Sequence, residues 1–154
     1  MNALAPAAAT PALRRAGLFA LEAAMKRGNA DGSLVPFECP LHHFFAEGVY
    51  VRQMFIPAGV ALVGHIHRHP CVNVVIGDIE VATERGRERI VGPFTFTSAA
   101  GIKRAGYARK DTLWTTIHAN PDNERDIAKL EAALIVDVYD KVTGELAMEL
   151  LEQA

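Results

Sequence analysis

Between residues 47 and 118 the chain repeats one texture: short runs of alternating apolar and polar residues, each closed by glycine or proline. In Glu47-Gly-Val-Tyr-Val-Arg-Gln-Met-Phe-Ile-Pro57 the residues Tyr50, Arg52 and Met54 share one face. Val49, Val51, Gln53 and Phe55 share the other, as the two-residue period of a strand requires. Further runs follow at 59–67, 72–76, 79–83, 89–91, 94–97 and 112–118. Turns are expected at Pro57-Ala-Gly59, Gly77-Asp78, around Gly86, at Gly92-Pro93, at 98–101 and at the polar tip Arg109-Lys-Asp111. Short strands about ten residues apart, joined by glycine and proline, predict a sandwich or barrel.

The flanks read differently. Residues 1–11, rich in alanine and proline, predict a loose arm. A helix is expected from just after Pro11 to near Gly28, with Leu13, Leu18, Leu21 and Met25 as its apolar stripe. Arg14-Arg15 before an apolar run resembles a twin-arginine export signal, but Glu22 and Lys26 break the run, so it reads as a helix. After the barrel, Asn120 and Pro121 suit a helix start. Ile127, Leu130 and Leu134 form its stripe, and Thr143 to Leu151 allows a second helix. The division is an arm and helix at 1–33, a barrel at 34–119 and a helical extension at 120–154, together one compact domain.

Half of the residues are apolar and 22% are charged, with a formal net charge of −2. This suits a globular chain and lacks the basic face of a nucleic-acid binder. No run approaches the ~20 apolar residues of a membrane span. Two cysteines, Cys39 and Cys71, are too few for a disulfide framework and fit a reducing cytoplasm.

The chemistry concentrates in Gly59-Val-Ala-Leu-Val-Gly-His65-Ile-His67-Arg-His-Pro-Cys71. On one strand, His65 and His67 would point two imidazoles into one interior, as a β-scaffold does to hold a metal. Cys71 offers a third donor, because a thiolate is a good ligand for zinc or iron. His118 is a candidate fourth. The plain alternative is a hydrogen-bonded pair in a metal-free barrel, with Cys71 a small buried hydrophobe. His42-His43 reads as a pair of loop histidines.

The spacing Gly59-x5-His65-x-His67, followed by Cys71 and Gly77, resembles the first motif of the cupin superfamily, with cysteine where glutamate is usual. Gly92 and Gly101 match the degraded second motif, where Arg104 stands in place of histidine. The runs Gly48-Val-Tyr-Val-Arg, Ile56-Pro-Ala-Gly, Gly64-His-Ile-His and Leu113-Trp-Thr-Thr-Ile-His are similar to small phage and prophage cupins. The resemblance implies a mainly β fold: a double-stranded β-helix, or jelly-roll barrel, with helices at both ends. It implies a divalent transition metal (Zn, Fe, Ni or Mn) on His65, His67, Cys71 and His118. Such a metal would support oxygenase, isomerase or hydrolase chemistry. A guanidinium has no lone pair to give. Arg104 therefore either turns outward or clamps an anionic substrate, with Arg52, Tyr50 and Trp114 as further substrate contacts. The rival reading is a non-catalytic binding or assembly module. The partners expected are a small-molecule ligand and a second copy in a homodimer, with no nucleic acid and no membrane.

Overall fold

The computed structural model describes residues 8–136. Most of the N-terminal arm and the helix expected over 143–151 lie outside these residues. The fold is mainly β with a helix at each end, a barrel of jelly-roll type.

Helix α1 (Pro11–Asp31) starts where Thr10 accepts a hydrogen bond from Leu13 N at 3.2 Å and stops at left-handed Gly32. It runs past Gly28, the expected end. Gly28 is small for packing: a Cβ there would meet Leu34 Cγ at 2.6 Å. The buried face is Leu18 and Phe19, whereas Leu13 and Leu21 of the expected stripe are largely exposed.

The strands are β1 (Leu41–Ala46), β2 (Val49–Ile56), β3 (Ala61–Val63), β4 (Ile66–His67), β5 (Cys71–Thr83), β6 (Gly86–Val91), β7 (Phe94–Ser98), β8 (Arg104–Ala119) and β9 (Ile135–Val136). The order is β1-β2-β8-β5-β6, with β7 also on β5 and β3 also on β8; β4 pairs with β9. The long strands β5 and β8 run antiparallel and each serves twice. Residues 72–76 of β5 meet 113–117 of β8, between β7 on one side and β2 on the other. Residues 78–83 meet 104–110, between β6 and β3. Two sheets thus share two bent strands and face one another across the core.

The bend lies at Gly77. A turn was expected there, and a second at Arg109–Asp111, but both strands continue through. The register shifts around Asp78, which marks a bulge. Gly77 has φ +136°, and a Cβ on it would lie 2.6 Å from the Asp111 carbonyl oxygen.

Three further expectations change. His42 and His43 lie on edge strand β1, not in a loop. The expected strand 59–67 divides into β3 and β4, so His65 falls between strands and the pleat argument for the two histidines does not apply. Helix α2 (Ile127–Leu134) begins later than Asn120. Asp126 caps it by accepting from Ala128 N and Lys129 N at 3.0 and 3.3 Å. Asn120 instead closes a turn with Glu124. Of the expected stripe, Leu130 is buried and Ile127 and Leu134 half-buried.

The core gathers Ile56, Val75, Ile79, Val81, Ile90 and Ala108, with Met54, Leu62, Phe96 and Trp114 packed on it. Among the described residues, no helix is long and apolar enough to cross a membrane. Cys39 and Cys71 are both free thiols.

Candidate functional site

A cavity of about 460 Å³ opens between the two sheets. Residues 52, 54 and 56 of β2 are i, i+2 and i+4, so Arg52, Met54 and Ile56 line it together. Strand β8 contributes Trp114 and Thr116, whose Cα positions pair with Met54 and Arg52, and, beyond its bend, Arg104 and Gly106. Asn73 and Ile79 come from β5 and Leu62 from β3. His65 and His67 both line the wall.

The polar end is built around Asn73, which is 1% exposed. Its Oδ1 accepts from Trp114 Nε1 at 2.9 Å and from Thr116 Oγ1 at 3.1 Å. Its Nδ2 donates to Ser98 Oγ at 3.1 Å. Ser98 Oγ accepts in turn from Arg104 Nη2 at 2.9 Å. The Arg104 guanidinium carbon lies 5.6 Å from the Phe96 ring centre and 5.5 Å from that of Trp114, within cation–π range. Burial pulls its pKa below the ordinary guanidinium value, a pull opposed by Cys71. It keeps its charge nonetheless. Nε of Arg52 and Nε of Arg104 are both buried and have no hydrogen-bond partner among the described residues.

The surroundings of His65, His67 and His118 favour the neutral imidazole. Burial is the main cause of the drop in the His65 pKa, helped by Arg52 and Lys103. His67 is pushed down to about 4 by burial first, then by His118, Arg52 and Arg104. His118 falls to about 4 by burial and by Arg52. Cys71 Sγ lies 3.4 Å from His67 Nδ1, and burial raises the thiol pKa. The thiol therefore stays protonated and can donate to Nδ1.

Not every expected site residue reaches the cavity. Arg52, His65, His67, Arg104 and Trp114 line it; Cys71, Tyr50 and His118 do not. Tyr50 is 2% exposed, stacks on His118 with ring centres 5.9 Å apart, and shares a 2.8 Å hydrogen bond with His43 Nδ1. His118 meets His67 edge-on, ring centres 4.9 Å apart. Asn73, Ser98 and Thr116 were not singled out from the sequence. A signal existed for Asn73, a lone amide inside the apolar run Val72–Ile76.

A transition metal needs several lone pairs converging on one point. Among the described residues, no group of three or more His, Cys, Asp or Glu provides this. His67 and Cys71 are hydrogen-bonded to one another, His118 does not line the cavity, and two guanidiniums would repel a dication. The donors as arranged do not fit a metal. They fit an anion: two fixed cations, neutral imidazoles and no carboxylate in the wall except exposed Glu38.

Fold and cavity together define a β-barrel with an arginine-bearing interior. No protein-family model matches the sequence. Small ribosomal subunit protein uS4 of Francisella tularensis subsp. holarctica (strain OSU18) is 24% identical over 130 residues, 79% of this chain and 63% of that protein. The chain thus spans less than two thirds of that relative's length. Among solved structures, KdgF from Halomonas sp. is similar at 16% identity and TM-score 0.49, covering 62% of this chain and 89% of that one. An RmlC-like cupin from Shewanella frigidimarina NCIMB 400 is similar at 13% identity and TM-score 0.48, covering 62% and 85%. These likenesses carry no chemistry to this chain.

Proposed function

We propose that the barrel is a non-catalytic binding module for a small anionic metabolite. One observation carries this reading: Arg52 and Arg104 line one cavity, and each keeps a buried Nε without an acceptor among the described residues. An unsatisfied buried donor costs about 1–3 kcal/mol, more when charged. An anion accepting from both groups recovers that cost and offsets the repulsion between two like charges. His65 and His67 complete the polar end as neutral hydrogen-bonding groups.

Trp114 is the single tryptophan and lines the same cavity, so its fluorescence reports occupancy. Titration with a panel of carboxylates and inorganic phosphate is expected to change that signal saturably. Arg52→Met and Arg104→Met should each weaken binding about tenfold or more. Variants that bind as well as the parent would reject the reading.

The competing reading is a divalent metal on His65 and His67, completed by Cys71 or His118. What favours it is the proximity of His67, Cys71 and His118 and the neutrality of both buried imidazoles. Near-stoichiometric Zn, Fe, Ni or Mn in protein as purified, lost in His65→Ala plus His67→Ala, would replace the anion reading with this one. The proposal includes a reducing cytoplasm, in keeping with two free thiols. It also includes pairing of two copies through the free edge of β1, where Phe44 is 51% exposed. Kinship with phage and prophage cupins rests on the sequence runs alone.

A further inference from the structure

The cavity is polar at one end and apolar at the other, and its chemistry changes along a single strand. Arg52 stands at the charged end of β2, Met54 follows, and Ile56, 1% exposed, closes the apolar end. From Arg52 to Ile56 the extended chain spans roughly 13 Å. Strand β8 repeats the gradient in register, with Thr116 opposite Arg52 and the Trp114 indole opposite Met54. Leu62 and Ile79 extend the apolar end from the other sheet. Both arginines whose buried Nε has no acceptor among the described residues line the cavity together with His67. A compact, strongly hydrated anion would use only that end and leave the apolar walls against water. A wholly apolar ligand would fill the walls and leave the two buried Nε–H groups without an acceptor among the described residues.

We infer that the ligand is an amphipathic carboxylate, its acid group between Arg52 and Arg104 and an apolar body lying along Met54, Ile56, Leu62 and Ile79. This rests on the anion-binding reading and adds the ligand class to it. The acid group accepts from the two Nε–H groups. The body displaces water from the deep end, and that displacement supplies most of the affinity.

The test titrates the full chain with octanoate, acetate, inorganic phosphate and 1-octanol, followed by Trp114 fluorescence and calorimetry. Octanoate is expected to bind roughly a hundredfold more tightly than acetate. It should exceed phosphate and octanol by about tenfold or more. Met54→Gln should weaken octanoate and leave acetate unchanged, with the melting curve of the variant confirming that it folds. Leu62→Asn serves the same purpose where Met54→Gln is unstable. Acetate or phosphate binding as tightly as octanoate would overturn the amphipathic inference and leave the anion reading standing. Octanol binding as tightly as octanoate would overturn the anion reading, and the inference with it. Binding of none of the four would overturn both.

Discussion

The half-buried His67 and the buried His118 are in edge contact, each held near pKa 4 against about 6.5 in an unfolded chain. Between those values the unfolded state binds protons that the native state refuses, so stability falls as pH drops from about 6.5 to about 4. Above that window both states hold neutral rings, and below it both are protonated, so the term is flat on either side. The full span is on the order of 3 kcal/mol for one such ring. His118 is 4% exposed and faces Tyr50, so phenylalanine fills its place without a titrating group. Urea unfolding at pH 7.5 and pH 4.5 should show His118→Phe losing about half as much stability across the interval as the parent loses through its two rings. Equal losses in the two proteins would mean that His118 is not the group being charged. Single side chains also set what could be read from the sequence at the cavity. Arg52 shared a face with Met54 by parity, whereas His65, His67 and Trp114 stood out by residue type alone. Asn73 did not, because its role is to hold Trp114, Thr116 and Ser98, and a hub is defined by partners that only the folded sheets bring together.

Helix α1 is attached to the barrel by a buried ion pair as well as by Leu18 and Phe19. Lys103 Nζ lies 2.8 Å from Glu22 Oε2, with the two side chains 4% and 14% exposed. The same ammonium donates to the Gly64 carbonyl at 3.0 Å and sits 5.3 Å from the Phe19 ring centre. The helix is thereby tied to the backbone beside His65. Removing one partner of a buried pair strands the other charge. Glu22→Ala should therefore cost about 3 kcal/mol. Glu80→Ala, whose partner Arg109 is as exposed as Glu80 itself, should cost little. Chemical denaturation of the two variants side by side measures the contrast, and similar losses would show that the pair does not anchor α1. At this scale the sequence was legible where local rules act alone. The start of α1, the alternation of β2 and the hairpin at Gly86 follow from caps, pleat and turn residues. It misled where the same residues serve two purposes. Gly77 looks like a turn glycine and is a bulge glycine, because only the Asp111 carbonyl across the sheet distinguishes the two. Arg109-Lys-Asp111 looks like a polar tip and is an outward-facing stretch of β8, paired near the bend through Lys110 with Asp78. Strand β1 was missed because its apolar Phe44 faces outward on an edge.

For the whole molecule, the charged end of the cavity is a cost that the rest of the barrel carries. Arg52 and Arg104 keep like charges, and two Nε–H groups without an acceptor among the described residues, in a cavity also lined by Ile56, Ile79 and Trp114. Replacing a poorly paired buried ion by an apolar side chain of similar length is often stabilising. A site built for binding is the usual place for such a deficit. Arg52→Met should therefore raise the stability of the ligand-free protein by about 1 kcal/mol, or about 3 °C in midpoint. Bound ligand should reverse the ranking. At a hundred times its dissociation constant, a ligand adds about 2.7 kcal/mol to the parent and almost nothing to a variant that no longer binds it. The parent should then be the less stable protein alone and the more stable one with octanoate. Differential scanning calorimetry of both proteins with and without octanoate tests this crossing of melting points. A ligand-free variant less stable than the parent would mean that Arg52 is a structural cation whose acceptor lies within the chain, and the case for an anion site would fall with it.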